Sequence, residues 1–315
     1  MKSFSQLRIV FLGTPDFAVA TLDALVTAGA NIVAVITVPD KPAGRGQLLH
    51  TSAVKDYAVA KNLPLLQPVK LKDTEFLETL KSYHADLQVV VAFRMLPEVV
   101  WNMPPMGTIN VHASLLPQYR GAAPINHAIM NGETVTGVTT FKLKHEIDTG
   151  DILLQKEVAI TPQDNAGTLH DKLMRAGADL LVESVKGLVN GSISERPQQI
   201  IDESEIKRAS KIFTETRQID WHRKAKDIHN QVRGLSPYPA AFTYIGNKTA
   251  KVFLTHYNLG NPEAEPGTFE LVSSSGKHPD GLRFAAADGW VYIDELQQEG
   301  KKKMPIAEFL KGFRP

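Results

Sequence analysis

Along the first half of the chain, short continuous apolar runs take turns with stretches of helical spacing. Leu7–Gly13 is an apolar run closed by glycine, which predicts a buried strand. Asp16–Ala28 then spaces Phe17, Leu22, Leu25 and Val26 as one face of a helix, and Asn31–Val38 is a second buried strand. This β-α-β opening predicts a parallel, doubly wound sheet. Ser52–Lys61 and Asp73–His84 read as helices, Ala85–Phe93 as a central strand, and Leu96-Pro97 opens a short helix through Trp101. Thr108–His112 follows as a strand, with Thr108, Asn110 and His112 on one face. Pro124–Met130 reads as a helix, Val135–Leu143 as a strand and Asp151–Ile160 as one arm of a hairpin. Asn165–Asn190 carries Leu169, Leu173, Leu180, Leu181, Val185 and Leu188 at helical spacing, with Gly191 as the stop.

Around Ser194–Ser210 the sequence turns polar and charged, and the periodicity changes beyond it. After a helix over Ala225–Gly234 come five short alternating strands: Phe242–Ile245, Lys251–Tyr257, Gly267–Val272, Leu282–Ala286 and Val291–Leu296. That pattern predicts a small β-barrel. The expected organisation is a domain over residues 1–193, a linker over 194–210 and a second domain over 211–315.

The chain's 315 residues suffice for two cores, and no cysteine is present, which excludes disulfides, thiol nucleophiles and thiolate metal sites. The N-terminal residues lack the apolar segment of a signal peptide, so a cytoplasmic protein is expected. Charge is uneven. Residues 206–315 hold 17 Lys/Arg against 12 Asp/Glu, while the remainder holds 18 against 22. A basic tail domain fits an anionic macromolecular partner.

Candidate chemistry centres on the strand carrying Asn110 and His112, beside which Ser114-Leu115-Leu116-Pro117 must turn the backbone. An amide and an imidazole side by side suit a carbonyl whose oxygen gains negative charge. Downstream, His145-Glu-Ile-Asp148-Thr-Gly150-Asp151 offers a carboxylate, Asp148, before a turn. Asn, His and Asp together fit acyl transfer between two substrates, with no enzyme nucleophile. A nicotinamide site is rejected, because Gly13-Thr-Pro15-Asp-Phe17 lacks the second glycine of the dinucleotide fingerprint. Metal binding by His112, His145 and Asp148 is the competing reading. The chain has no H-E-x-x-H pair, and no metal is expected.

The words N-V-H-A-S-L-L-P-x-Y-R-G-A-A-P-I, at Asn110–Ile125, and D-T-G-D, at Asp148–Asp151, resemble the 10-formyltetrahydrofolate-dependent formyltransferases. The resemblance runs along nearly the whole chain. It takes in Phe11–Phe17, Pro42–Gly46, Pro266–Phe269 and Leu296–Met304. It implies that Asn110, His112 and Asp148 are catalytic and that Ser114, Leu115, Leu116 and Pro117 line the folate site. Where the family commonly has V-A-Y-G-x-I-L-P, this chain has V-A-F-R-M-L-P at Val91–Pro97, one residue shorter and with Arg94 for glycine. The resemblance makes the backbone there a folate contact, with Phe93 and Leu96 at the pocket. G-A-A-P-I resembles the tRNA branch of the family rather than the sugar-nucleotide branch. It implies formyl transfer from 10-formyltetrahydrofolate, without metal, to the α-amine of methionine on initiator tRNA. Lys41 and Arg45, on the Pro/Gly-rich loop Pro39–Gln47, would reach the acceptor stem, and the second domain would bind tRNA. A monomer is expected.

Overall fold

The computed structural model describes residues 2–43, 48–199, 202–273 and 280–313. Its first sheet has seven strands: β1 (Arg8–Gly13), β2 (Asn31–Ile36), β3 (Leu65–Leu66), β4 (Leu87–Val91), β5 (Thr108–His112), β6 (Val135–Lys142) and β7 (Ile152–Ala159). Their spatial order is β7-β6-β5-β4-β1-β2-β3. β4 is buried at all of its positions and β1 at all but Arg8, as a strand covered on both faces should be. The pairs β1/β2, β1/β4, β2/β3 and β4/β5 are parallel, and β6 runs antiparallel to β5. The chain leaves β1 toward β2 on one side and returns to β4 on the other. A doubly wound sheet opens a crevice at the carboxyl ends of the strands where the order switches in this way.

Local signals set the helices. Pro15 precedes α1 (Asp16–Thr27), and Asp16 sits in its positive first turn. Ser52 caps α2 (Ala53–Ala60) by accepting from the Lys55 amide, and Asp73 does the same for Phe76 in α3 (Thr74–Ser82). α4 (Glu98–Trp101) precedes β5, and α5 (Pro124–Met130) starts on proline. α6 (Ala166–Asn190) runs for 25 residues.

The chain divides into two compact units. The first comprises Met1–Arg120, Gly137–Val158 and Asp171–Arg208, and the second Gly121–Thr136, Ala159–His170 and Ala209–Pro315. The second unit thus takes in two stretches, Gly121–Thr136 and Ala159–His170, that interrupt the first unit along the sequence. One of them carries α5, where Asn126 Nδ2 donates to Gly234 O (2.8 Å) in α7 (Ala225–Leu235). The other is joined by Arg233, which donates through Nη1 to Thr161 O (3.2 Å) and Asp164 O (3.0 Å).

The strands of the second unit are β8 (Ala241–Ile245), β9 (Lys248–Leu259), β10 (Phe269–Val272), β11 (Gly281–Ala286), β12 (Gly289–Gln298) and β13 (Met304–Pro305). They form an antiparallel sheet of order β8-β9-β12-β11-β10, with β13 on β12. Its core contains α7 and a parallel stack of Trp221 on Phe284, ring centroids 4.3 Å apart. A last helix, α8 (Ile306–Lys311), buries Phe309 and Leu310. Among the described residues, no helix is long and apolar enough to cross a membrane.

Candidate active site

β5 lies between β4 and β6, and its register places Asn110 opposite Val90 on one side and Phe141 on the other. His112 pairs with Thr139 in the same ladder. The two-residue spacing therefore brings the amide and the imidazole to one face near the strand's carboxyl end. His112 is 7% exposed, with its ring edge-on to Phe141 at 6.5 Å between centroids. Phe141 belongs to a small apolar cluster with Leu116 and Ile152.

The polar contacts of His112 are specific. Its Nε2 lies 2.9 Å from Tyr119 O, and its Nδ1 faces Asp148 Oδ2 at 3.8 Å. A backbone carbonyl can only accept, so Nε2 is the donor of the first contact, and Nδ1 is the ring atom turned toward the carboxylate. The 3.8 Å separation is too long for a direct hydrogen bond. A polar atom placed beside both groups could bond to each. Asn110 Oδ1 is buried without a partner among the described residues. Whichever way the amide is turned, it brings one donor end and one acceptor end to the site.

Asp148 sits on a tightly specified turn. Its φ is 56°, and that of Tyr119, whose carbonyl faces His112, is 59°. Both acceptors around the imidazole thus sit on non-glycine residues in the left-handed region, a conformation that persists where the surroundings over-determine it. Gly150 is needed for space, because a Cβ there would lie 1.5 Å from Lys142 O. Thr149 Oγ1 donates to Glu146 O (3.0 Å) on one side of the turn. On the other side Gln198 Nε2 donates to Asp148 O (2.8 Å) and Gly150 O (2.9 Å). Gln198 Oε1 accepts from Arg120 Nε (3.1 Å) and Nη2 (2.6 Å), and Arg120 is 5% exposed. Sequence reasoning singled out neither side chain for this role. Arg120 stood only within the motif at Asn110–Ile125, and Gln198 fell inside the expected linker.

The segment after β5 is pinned by one threonine. Thr139 Oγ1 donates to Ser114 O (2.7 Å) and accepts from Leu116 N (3.1 Å) and Gln155 Nε2 (3.0 Å). Ser114 is wholly buried, and its hydroxyl donates to Gln118 O (2.6 Å). Leu115 packs onto β6 at Gly137, where a Cβ would meet its Cδ2 at 2.5 Å. Leu116 is buried, Pro117 half-buried, and the Leu116-Pro117 bond is cis.

After β4, Ala92 is again left-handed, Phe93 is half-buried and Leu96 is buried among Val10, Ile36 and Val90. Arg94 bonds through its guanidinium to Pro68 O and Val69 O, tying this segment to a neighbouring loop. The Pro39–Gln47 stretch, expected as an exposed loop, contains one arm of a hairpin in which Lys41–Ala43 pairs with Leu48–His50. Lys41 is exposed, whereas Arg45 lies outside the described residues. At the hairpin's foot, hydrogen bonds from Lys55 and then Gln67 hold the Asp40 carboxyl below its usual pKa. Thr37 Oγ1 lies 2.7 Å from Ser52 Oγ and links the two chain ends there. Among the described residues, no three His, Cys, Asp or Glu side chains converge as a metal-ligand set. His145 lies 3.9 Å from Glu98 and is largely exposed.

An amide, an imidazole and a carboxylate gathered at the carboxyl end of a parallel strand are the equipment of a group-transfer enzyme. Ser114, the hydroxyl nearest in sequence to His112, is already committed to Gln118. Comparison with known proteins fixes the group. The sequence matches the family described as Formyl transferase over residues 7–185 and Formyl transferase, C-terminal domain, over residues 211–314. The chain belongs to the formyl transferase family and is a formyl-transferring enzyme.

Among its relatives, the methionyl-tRNA formyltransferase of Parabacteroides distasonis is 53% identical over 313 residues, 98% of this chain and 96% of that protein. The methionyl-tRNA formyltransferase of Flavobacterium johnsoniae is 49% identical over 309 residues, again 98% and 96%. Among solved structures, the N-formyltransferase from Helicobacter canadensis, in complex with folinic acid and dTDP-3-aminofucose, aligns with a TM-score of 0.67 at 20% identity. That alignment covers 95% of this chain and 100% of the other. HypX from Aquifex aeolicus, in complex with tetrahydrofolic acid, gives 0.64 at 20% identity and covers 97% of this chain. This chain spans about half (48%) of HypX. Both structures share the fold.

Proposed function

We propose that the protein transfers the formyl group of 10-formyltetrahydrofolate to the α-amine of methionyl-initiator tRNA, acting as a cytoplasmic monomer in translation initiation. The observation that carries this reading is the Asn110/His112/Asp148 cluster on a chain about half identical, over almost its full length, to enzymes of that name. The folate co-substrate supplies a formyl group on nitrogen, and the cluster suits it: Asn110 can donate to a carbonyl oxygen and accept an N–H from the incoming amine.

Each residue then has a task. Asn110 Nδ2 donates to the formyl oxygen as negative charge grows there, an interaction worth roughly 10²–10³ in rate. The protonated His112 supports the same charge, with Nε2–H anchored on Tyr119 O so that the ring cannot swing. Asp148 stabilises the imidazolium across the 3.8 Å gap to Nδ1 and takes a proton from the attacking amine, directly or through water; the new amide N–C bond replaces the C–N10 bond, and the proton passes to N10 of the departing tetrahydrofolate. Ser114, Leu115, Leu116 and Pro117 contribute to the folate site as a fixed corner, their backbone held by Thr139. Phe93 and Leu96 give it an apolar side.

Residues 1–193 would carry this chemistry, 194–210 would link, and 211–315 would bind tRNA, with Lys41 and Arg45 contacting the acceptor stem. The test is purified protein with 10-formyltetrahydrofolate and either methionyl-initiator tRNA or a dTDP-amino sugar, scored for formylated product. Product on the tRNA alone supports the reading, and product on the sugar alone overturns it.

A further inference from the structure

We infer that Gln198, oriented by Arg120, is a positioning residue for catalysis: its amide fixes the turn that aims Asp148 at His112. The inference rests on the proposed catalytic role of Asp148. Both ends of the Gln198 amide have their orientation dictated. Its Oε1 faces two donors of a buried guanidinium, Arg120 Nε at 3.1 Å and Nη2 at 2.6 Å. Its Nε2 faces two acceptors, Asp148 O at 2.8 Å and Gly150 O at 2.9 Å. A flipped amide would set nitrogen against donors and oxygen against carbonyls, so only one orientation satisfies all four contacts.

The two carbonyls belong to residues i and i+2 of one turn. Bonding both to one nitrogen restrains the peptide planes between them. Asp148 is the residue of that turn held at φ 56°, and its carboxylate is the group 3.8 Å from His112 Nδ1. Gly150 presses against Lys142 O and blocks movement of the turn toward that strand. Gln198 restrains it through its carbonyls. Arg120 follows Tyr119, whose carbonyl accepts from His112 Nε2. One short stretch of chain therefore anchors the imidazole directly and, through Gln198, the carboxylate.

A merely structural role would consist of satisfying the buried Arg120 guanidinium, and Gln198→Glu separates the two roles. A carboxylate is a better acceptor for Arg120 but has no N–H for the Asp148 and Gly150 carbonyls. We expect Gln198→Glu to keep the melting temperature of the wild type and to lose kcat by on the order of 10²-fold, the effect of displacing a reacting group by about 1 Å. KM for formyl-folate and methionyl-tRNA should stay within about threefold. Gln198→Met, which also lacks the donor but adds no charge, should lose kcat likewise and covers the case in which the glutamate disturbs folding.

In an Asp148→Asn background either substitution should cost less than about threefold more, because residues acting as one unit are not additive. Wild-type kcat for a folded Gln198→Glu, or a full multiplicative loss in the Asp148→Asn background, overturns the inference. If Asp148→Asn itself keeps wild-type kcat, the catalytic assignment of Asp148 falls instead, so the two failures are distinguishable.

Discussion

Gly150→Ala would put a methyl group where the structure has no room for one. The new Cβ would lie 1.5 Å from Lys142 O and 2.7 Å from the carbonyl carbon, against roughly 3.4 Å for ordinary contact. The turn or the edge of β6 must therefore give way by about 2 Å. Asp148 is two residues upstream on that turn, so its carboxylate moves relative to His112. Displacement of about 1 Å at a reacting group costs on the order of 10²-fold, so kcat should fall by about 10²–10³. The overpacking should also destabilise the fold by about 1–3 kcal/mol.

Gly191→Ala is the control. Gly191 has φ 72°, and a methyl group on it would find nothing within 4 Å, so alanine there meets only the left-handed penalty of roughly 1–2 kcal/mol. The two variants should lose comparable melting temperature, while only Gly150→Ala loses kcat in a formyl-folate-dependent transfer assay. A folded Gly150→Ala enzyme with kcat within about threefold of wild type would refute the claim that this close approach sets the geometry of Asp148.

Other outcomes test the proposed roles of single residues. His112→Ala should nearly abolish transfer while circular dichroism and tRNA binding stay intact, and adding Asp148→Asn should cost far less than the product of the single losses. On the proposed contact of Arg45 with the acceptor stem, Arg45→Lys should lower kcat/KM for initiator methionyl-tRNA with net charge unchanged, because lysine cannot reproduce the bidentate and stacking contacts open to a guanidinium. Lys41→Ala should give a smaller loss that vanishes as salt rises, read from kcat/KM across a salt series. His229 has its pKa lowered by burial and then by the nearby Arg233 charge. The unfolded chain therefore takes up this proton first, and the stability associated with a neutral His229 is complete above pH about 6.5 and lost as pH falls below it. His229→Gln should flatten the decline of melting temperature between about pH 7 and pH 5.

Much of this architecture is legible in the sequence because burial leaves a periodic record. The apolar runs at β1 and β4 and the heptad-like leucines of α6 fall where the structure has a buried strand or helix. The five alternating segments after Pro239 correspond to β8–β12. Asn110 and His112 are legible for the same reason, since a spacing of two on a strand is a statement about faces.

What escapes is whatever depends on contacts between distant, non-periodic positions. Gln198 lies 50 residues from Asp148 and 78 from Arg120, in a polar stretch whose composition reads as a linker. Its role becomes visible only when the turn carbonyls are in place. The hairpin at Lys41–Ala43 and Leu48–His50 is hidden by prolines and glycines, and the two-residue β3 is too short to have a period. Nothing in the amphipathic pattern of α5 indicates that its partner is α7, far along the chain. Gly150 carries a usable signal: a glycine on the turn that follows a candidate catalytic carboxylate often marks close backbone approach.

If Asp148 works with His112 in the chemical step, and no enzyme nucleophile shares the task, its loss must show in that step alone. The decisive measurement is single-turnover transfer by Asp148→Asn, with formyl-folate and methionyl-initiator tRNA bound beforehand. The rate constant should be lower by at least about 10³-fold, with dissociation constants for both substrates within about threefold of wild type. A single-turnover rate equal to that of the wild type would contradict the assignment.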